Sequence, residues 1–180
     1  MRSATGPVSP RVKKAPTAAI LDSQSVRTAS QPGVRGFDAG KKITGRKRHV
    51  LVDTQGFILG LSVTPACIQD RDGARALLTG LLTRSFGWIK KIWADGGYAG
   101  ALEGEVANLP RHRQVDLEIV KRSDDMTGFK VLPQRWIVER TFGWLIQSRR
   151  LVRDYEVKPT HSEAMIYLSM SKRMLARIAS

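Results

Sequence analysis

The segment Ala18-Ala19-Ile20-Leu21-Asp22-Ser23-Gln24-Ser25-Val26 carries the pattern on which the fold prediction rests. A short apolar run passes directly into polar side chains, which is typical of a buried strand that ends among polar groups. We therefore predict a strand here, with Asp22 at or near its end. Residues 1–16 contain three prolines, one glycine and four basic residues without an apolar period. They are predicted to form a flexible leader, so ordered structure is expected from about Thr17.

A hairpin and a helix are predicted downstream of this strand. Residues 49–53 and 57–63 are rich in β-formers and flank Thr54-Gln55-Gly56, which is the pattern of two antiparallel strands around a turn. Residues 70–84 then place alanine and leucine at helical spacing. Asp70 and Asp72 lie near the start of this helix, where the helix dipole favours negative charge.

The second half of the chain continues this alternation of strands and helices. Residues 89–94 form an apolar run before Asp95-Gly96-Gly97, so a sharp turn is expected to leave Asp95 at the tip of a strand. The remaining predictions are a helix over 101–109, a strand over 115–120, a loop over 121–128, and helices over 134–153 and 162–178. Alternating strands and helices cover both faces of a sheet. The predicted fold is therefore an α/β three-layer domain with a mixed sheet flanked by helices.

The composition points to a polyanionic partner. The chain has 30 Lys and Arg against 16 Asp and Glu, a formal net charge of +14, and nucleic acid is the partner that such an excess favours. A ribosomal or histone-like protein would show the same excess, so the charge does not indicate any chemistry. The stretch 31–48 is rich in glycine and basic residues, and we interpret it as a flexible loop that faces DNA. Its expected phosphate-binding side chains are Lys41, Lys42, Arg46, Lys47 and Arg48.

Other classes of protein are disfavoured. Cys67 is the single cysteine, which excludes an internal disulfide and a multi-cysteine zinc site. The three histidines have no metal-ligand spacing, and we expect them in loops or on the surface. No apolar run approaches the roughly 18 residues that span a bilayer. We therefore expect no membrane partner and a cytoplasmic location.

Three carboxylates are candidates for metal-dependent phosphodiester chemistry, which needs several acidic side chains around one phosphate. Asp22 and Asp95 both follow predicted strands, so they emerge at one edge of the sheet if those strands are neighbours. Glu139 lies on a predicted helix, off its apolar stripe. The basic residues expected near its face are Arg135, one turn earlier, and Arg149, Arg150 and Arg153 further along. Taken singly, a strand-end aspartate more often caps a strand, and a helical glutamate beside arginine is usually a solvated pair.

A family resemblance favours the catalytic interpretation. From about Ile20 to Leu175 the chain resembles the insertion-sequence-five group of bacterial DDE transposases. The matching blocks are Leu21-Asp22-Ser23-Gln24-Ser25-Val26, Gly45-Arg46-Lys47-Arg48-His49, Gln69-Asp70-Arg71-Asp72-Gly73, Ala94-Asp95-Gly96-Gly97-Tyr98-Ala99-Gly100, Arg135-Trp136-Ile137-Val138-Glu139-Arg140-Thr141-Phe142 and residues 149–156.

The resemblance implies a ribonuclease H-like fold, with Mg²⁺ or Mn²⁺ held by the triad Asp22, Asp95 and Glu139. It implies DNA cleavage and strand transfer at insertion-sequence ends, with double-stranded DNA as partner in the form of terminal inverted repeats and target DNA. Arg135 would contact that DNA beside Glu139. A homodimer is also implied, because active transposases usually work as dimers.

The chain departs from the family pattern in two places. Ile146 and Gln147 stand where relatives often have a basic residue seven positions after the glutamate, and Arg149 or Arg150 is expected to take that role. Relatives also carry an upstream helical recognition domain, and no such pattern precedes Thr17. Two alternatives stay open: a non-catalytic DNA-binding transposase remnant, and a ribonuclease H-type nuclease that acts on RNA–DNA hybrids.

Overall fold

The fold is a six-stranded mixed sheet with helices on both faces. A computed structural model describes residues 16–30, 32–82, 88–108, 115–120 and 134–179. The strands are β1 (Ala18–Arg27), β2 (Gly36–Asp38), β3 (Ile43–Asp53), β4 (Ile58–Pro65), β5 (Lys91–Asp95) and β6 (Asp116–Val120). The helices are α1 (Asp70–Leu82), α2 (Ala101–Ala107), α3 (Arg135–Ile146) and α4 (Pro159–Ile178), and short 3₁₀ turns cover Gly96–Tyr98 and Arg149–Leu151.

Strand β1 lies in the interior of the sheet. The strand order is β2-β3-β1-β5-β6, and β4 also pairs with β3. Strands β1 and β3 are antiparallel along almost their full length, from Ala19 opposite Asp53 to Arg27 opposite Gly45. Strands β1, β5 and β6 are parallel to one another. The C-terminal end of β5 therefore lies beside the middle of β1.

Each face of the sheet has its own hydrophobic core. On one face Leu21 and Leu51 pack with Leu78 of α1 and Leu102 of α2. On the other face the apolar side chains of β1, β3 and β4 pack with those of α3 and α4. The predicted α/β three-layer arrangement is confirmed, and it is consistent with the ribonuclease H-like fold that the resemblance implies.

Strand β1 and the segment after it differ from the prediction. Asp22 was expected near the end of its strand, but β1 continues to Arg27 because β3 pairs with its polar second half. The flexible loop predicted over 31–48 is wrong for residues 36–38 and 43–48, which belong to β2 and β3. The reason is that the basic side chains of β3 have acidic and carbonyl partners inside the fold.

The last two helices also differ. The helix predicted over 134–153 ends at Ile146, and Ser148 is extended with φ −85° and ψ 107°. Helix α4 begins at Pro159, three residues before the predicted start. The apolar pattern of Met165, Leu168, Leu175 and Ile178 is typical of core packing, but only Met165 packs against the core and the other three are exposed. Ile166 and Met170 are the buried residues. An amphipathic pattern does not by itself identify which apolar stripe meets the sheet.

Two predicted segments cannot be compared with the structure. Residues 1–15 of the expected leader and the loop expected over 121–128 lie outside the described residues. Among the helices that are described, none combines the length and apolar character needed to cross a lipid bilayer.

Candidate active site

The strand register brings Asp22 and Asp95 side by side. Ala18 pairs with Lys91 and Ile20 with Trp93, so two further residues along each strand bring the chain to Asp22 and Asp95. Side chains alternate along a strand, so both aspartates lie on the face of Ile20, where α3 packs. The prediction that neighbouring strands bring these two carboxylates together agrees with this register.

Arg135 lies between the two carboxylates. It is the first residue of α3 and follows Gln134, whose φ is +65°. Its Nη2 is 3.5 Å from Oδ2 of Asp95 and 3.9 Å from Oδ2 of Asp22. Two adjacent carboxylates repel each other, and the guanidinium supplies part of the positive charge that such a pair requires.

Asp22 is the more perturbed of the two acids. Burial raises its pKa from 3.8 to about 6, and the nearby charge of Asp95 adds to this increase. The backbone N–H of Ser23, which donates to Asp22 over 2.7 Å, and the Arg135 guanidinium act in the opposite direction. A carboxylate that is buried with incomplete charge compensation attracts a further cation.

Asp95 is held by the turn that follows β5. Asp95 caps the N-terminal end of the 3₁₀ turn Gly96–Tyr98. Its carboxylate accepts a hydrogen bond of 2.9 Å from the backbone N–H of Gly97. The predicted sharp turn after a strand-tip aspartate is confirmed. The turn leaves the Asp95 carboxylate partly exposed and directed towards Arg135.

Glu139 does not join the two aspartates in this structure. It lies one turn after Arg135 on α3 and is exposed. Within the described residues it has no ion pair, and no group of three or more His, Cys, Asp or Glu side chains is placed to hold a metal ion. The structure therefore brings together two members of the expected triad, with the third on the adjacent turn.

A second polar cluster lies on the opposite face of β1. The Asp70 carboxylate accepts hydrogen bonds from Oγ of Ser23 and from Nζ of Lys47, both over 2.8 Å. Burial raises the pKa of the Tyr98 hydroxyl well above its usual range, and Asp22 and Asp70 add to this effect. Ser23, Asp70 and Tyr98 were not predicted as site residues, and Lys47 was expected to contact DNA, although all four lie within motif blocks. Their convergence depends on the packing of α1 against β1.

Three residues expected to contact DNA are buried. Arg46 is 1% exposed, Lys47 6% and Arg48 1%. Arg46 pairs with Asp154, Lys47 with Asp38 and Asp70, and Arg48 donates to the carbonyl of Leu151. The structure therefore places these three side chains inside the fold and not on the surface that was expected to meet DNA. Among the described residues Arg46 and Lys47 have acidic partners, whereas Arg48 has only neutral acceptors. His49, expected in a loop or on the surface, is likewise buried on β3.

The other expected DNA-binding residues are exposed, apart from Arg135, which lies at the carboxylate pair. Lys41, Lys42, Arg149, Arg150 and Arg153 lie on the surface. Arg150 pairs with Glu156, and Lys41 donates a long hydrogen bond of 3.5 Å to the carbonyl of Ser23. Because α3 ends at Ile146, the arginines over 149–153 do not extend the helical face of Glu139 as predicted.

Comparison with known proteins identifies the family. Residues 13–173 match the family model described as the transposase DDE domain. A comparison with curated proteins finds no match. The family model covers most of the chain, and the chain therefore belongs to the DDE transposase domain family.

Proposed function

We propose that this DDE transposase domain catalyses metal-dependent DNA cleavage and strand transfer at the ends of an insertion sequence. Family membership supports a role in transposition in general. The observation that carries the catalytic part of the proposal is the juxtaposition of Asp22 and Asp95 on neighbouring parallel strands. Carboxylates placed in this way are the ligand type that hard divalent cations prefer.

The proposed metal ligands are Asp22, Asp95 and Glu139, for Mg²⁺ or Mn²⁺. The first two fit this role, because a buried carboxylate with a raised pKa beside a second carboxylate calls for added positive charge. Glu139 is proposed as the third ligand because one helical turn separates it from Arg135, which already contacts both aspartates. When bound, a divalent ion would supply Lewis acidity at the reacting phosphate.

The proposed reaction has two phosphoryl transfers. Water attacks a phosphodiester at the end of the element and frees a 3′-hydroxyl, and that hydroxyl then attacks a phosphodiester of the target DNA. Arg135 is suited to bind a phosphate oxygen, because its guanidinium is partly exposed and lies at the carboxylate pair. No covalent protein intermediate is needed.

The proposed partner is double-stranded DNA, as terminal inverted repeats and as target. The net charge of +14 favours such a polyanion. The exposed residues Lys41, Lys42, Arg149, Arg150 and Arg153 are proposed to contact phosphates. Arg46, Lys47 and Arg48 are left out of this set because they are buried. A homodimer and a cytoplasmic, nucleoid-associated location complete the proposal.

The test is Mg²⁺-dependent nicking of a supercoiled plasmid, which does not require knowledge of the terminal sequence. Wild type is compared with Asp95→Asn and with the matched control Asp116→Asn. Asp116 lies on β6, and its side chain is 65% exposed. It forms a surface ion pair with Lys91. We expect nicking by wild type and by Asp116→Asn, and loss of at least about 100-fold in Asp95→Asn.

Two results would overturn the catalytic proposal. Equal nicking by wild type and Asp95→Asn would indicate a contaminant or a different site. DNA binding without any nicking by wild type would favour the non-catalytic remnant. A parallel assay on an RNA–DNA hybrid separates the remaining alternative, because cleavage of the hybrid alone would identify a ribonuclease H-type nuclease.

A further inference from the structure

An open groove lies between the β3–β4 hairpin, the end of α3 and the second half of α4. Its volume is about 620 Å³. Phe57 and Trp144 form its apolar wall, and Lys172, Arg173 and Arg177 form its basic wall. Among the described residues that line it there is no aspartate or glutamate. The groove is therefore both aromatic and strongly cationic.

Two arginines that line this groove, and Arg140 beside it, are held against aromatic rings. The Arg173 guanidinium carbon lies 4.3 Å from the ring centroid of Trp144, and that of Arg140 lies 4.8 Å from the same centroid. Arg177 lies 5.3 Å from the centroid of Phe57. Cation–π contacts of this kind orient a guanidinium without neutralising its charge.

The hydrogen-bond acceptors of the Arg173 and Arg140 side chains are neutral. Arg173 donates to the side-chain oxygen of Gln147 over 2.7 Å, and Arg140 donates to the backbone carbonyl of Gln55 over 2.7 Å. Within the described residues, neither arginine forms an ion pair. By contrast, Arg75 pairs with Asp72 and Glu105 at a distant part of the surface. Among the described residues, Arg173 and Arg140 therefore carry a positive charge that no ion pair neutralises, whereas the charge of Arg75 is compensated.

We propose that this groove binds the phosphate backbone of duplex DNA. The inference rests on the proposed function and adds a binding surface to it. Trp144 follows Arg135 by nine residues on α3, about 14 Å along the helix at 1.5 Å per residue. Nine residues are about two and a half helical turns, so the two side chains leave opposite sides of α3. The groove is therefore a surface separate from the carboxylate pair.

The contacts should read the backbone and not the bases. Two guanidinium groups already stack on Trp144, so its ring is not free for an unpaired base. Guanidinium and ammonium groups bind phosphate oxygens of any sequence. The groove is therefore expected to favour duplex DNA without sequence preference, and to contribute to the salt dependence of binding.

The experiment measures binding of a fluorescent 30-base-pair duplex by anisotropy, in EDTA and over a series of salt concentrations. The test variant is Lys172→Gln with Arg173→Gln. The matched control is Arg75→Gln with Lys91→Gln, which removes two exposed cations that already have acidic partners. We expect the test variant to lose at least about tenfold in affinity at 0.1 M salt, and its log–log salt slope to fall by about two. The control should stay within about twofold of wild type.

A further variant separates charge from folding. Arg173→Lys keeps the positive charge and should retain most of the salt slope, even if loss of stacking on Trp144 weakens binding. Circular dichroism of each variant verifies that the fold is intact.

Two results would overturn the inference. One is a test variant that binds duplex with the affinity and slope of wild type. The other is a test variant that loses binding to vesicles containing phosphatidylserine while its DNA binding is unchanged, which would assign the groove to an anionic lipid surface. Because binding is measured in EDTA, either result is independent of nicking. A failure of the nicking assay would in turn leave the binding result standing.

Discussion

Arg46, Lys47 and Arg48 are buried beneath the helices that cover β3, whereas Lys172, Arg173 and Arg177 line an open groove on α4. The members of each set lie within a few residues of one another in the sequence. The β3 set has acidic and carbonyl partners: Arg46 alone donates to Asp154 and to the carbonyls of Val34, Glu156 and Val157. In the groove, Arg173 instead has an aromatic ring and an amide as partners.

This difference separates a structural role for basic residues from a binding role. A buried cation with a full set of partners adds to the cohesion of the fold and contributes little to the external field. A cation held by neutral partners keeps its charge available to a polyanion. Local charge density is therefore a poor guide to the proposed DNA-binding surface of this protein.

The largest expected effect on stability comes from removing one of the buried cations of β3. Arg46→Met should lower the free energy of unfolding by about 3–5 kcal/mol, because it leaves the Asp154 carboxylate buried without its cation. Urea denaturation measures this. The double variant with Asp154→Asn should recover part of the loss, and a loss below about 1 kcal/mol in Arg46→Met would contradict a structural role for this pair.

Two glycines of α1, Gly73 and Gly80, test the packing of His49, the residue that follows Arg48 on β3. A β-carbon at Gly73 of α1 would overlap the buried ring of His49, whereas one at Gly80 of the same helix would meet nothing. Gly73→Ala should therefore cost about 2–3 kcal/mol. Gly80→Ala should stabilise by up to about 1 kcal/mol through helix propensity. Thermal denaturation of the two variants measures both effects. A shift of both melting temperatures in the same direction would refute this packing.

The pH dependence of stability reports on the carboxylate pair. The pKa of Asp22 is raised from 3.8 to about 6, so its contribution to stability is complete below about pH 4 and is lost as the pH rises through about 6. Asp22→Asn lacks this titration. In EDTA at pH 8 it should exceed wild type by about 1–3 kcal/mol, and the difference should shrink towards pH 4. A difference that does not vary with pH would argue against burial of this charge.

The smallest stability effect is expected at an exposed cation. Lys42 has a φ of +52°, a backbone conformation that asparagine tolerates. Lys42→Asn should change the free energy of unfolding by less than about 0.5 kcal/mol. If Lys42 contacts a phosphate, the salt slope of DNA binding should fall by about one. An unchanged slope would remove Lys42 from the proposed DNA surface.

Local patterns in the sequence were sufficient to predict most elements of the fold. The hairpin, α1, β5 with its glycine turn, α2 and β6 were predicted from apolar period and turn residues, and all are confirmed. Their neighbours in sequence determine these elements, so local reasoning succeeds. The positions of Asp22 and Asp95 could be predicted in the same way. A carboxylate that follows an apolar run is recognised from the local sequence, without knowledge of any tertiary contact.

Only the tertiary structure decided what the charged residues do. No local pattern indicates that the partner of Arg46 is Asp154, 108 residues later, or that α3 ends at Ile146 because the following chain returns to bond with β3. The sequence by itself determined the α/β class, the large positive charge and the family. The fold decided which cations are buried and which are exposed, and that Arg135 lies between Asp22 and Asp95, because charge compensation depends on distances between residues remote in the chain.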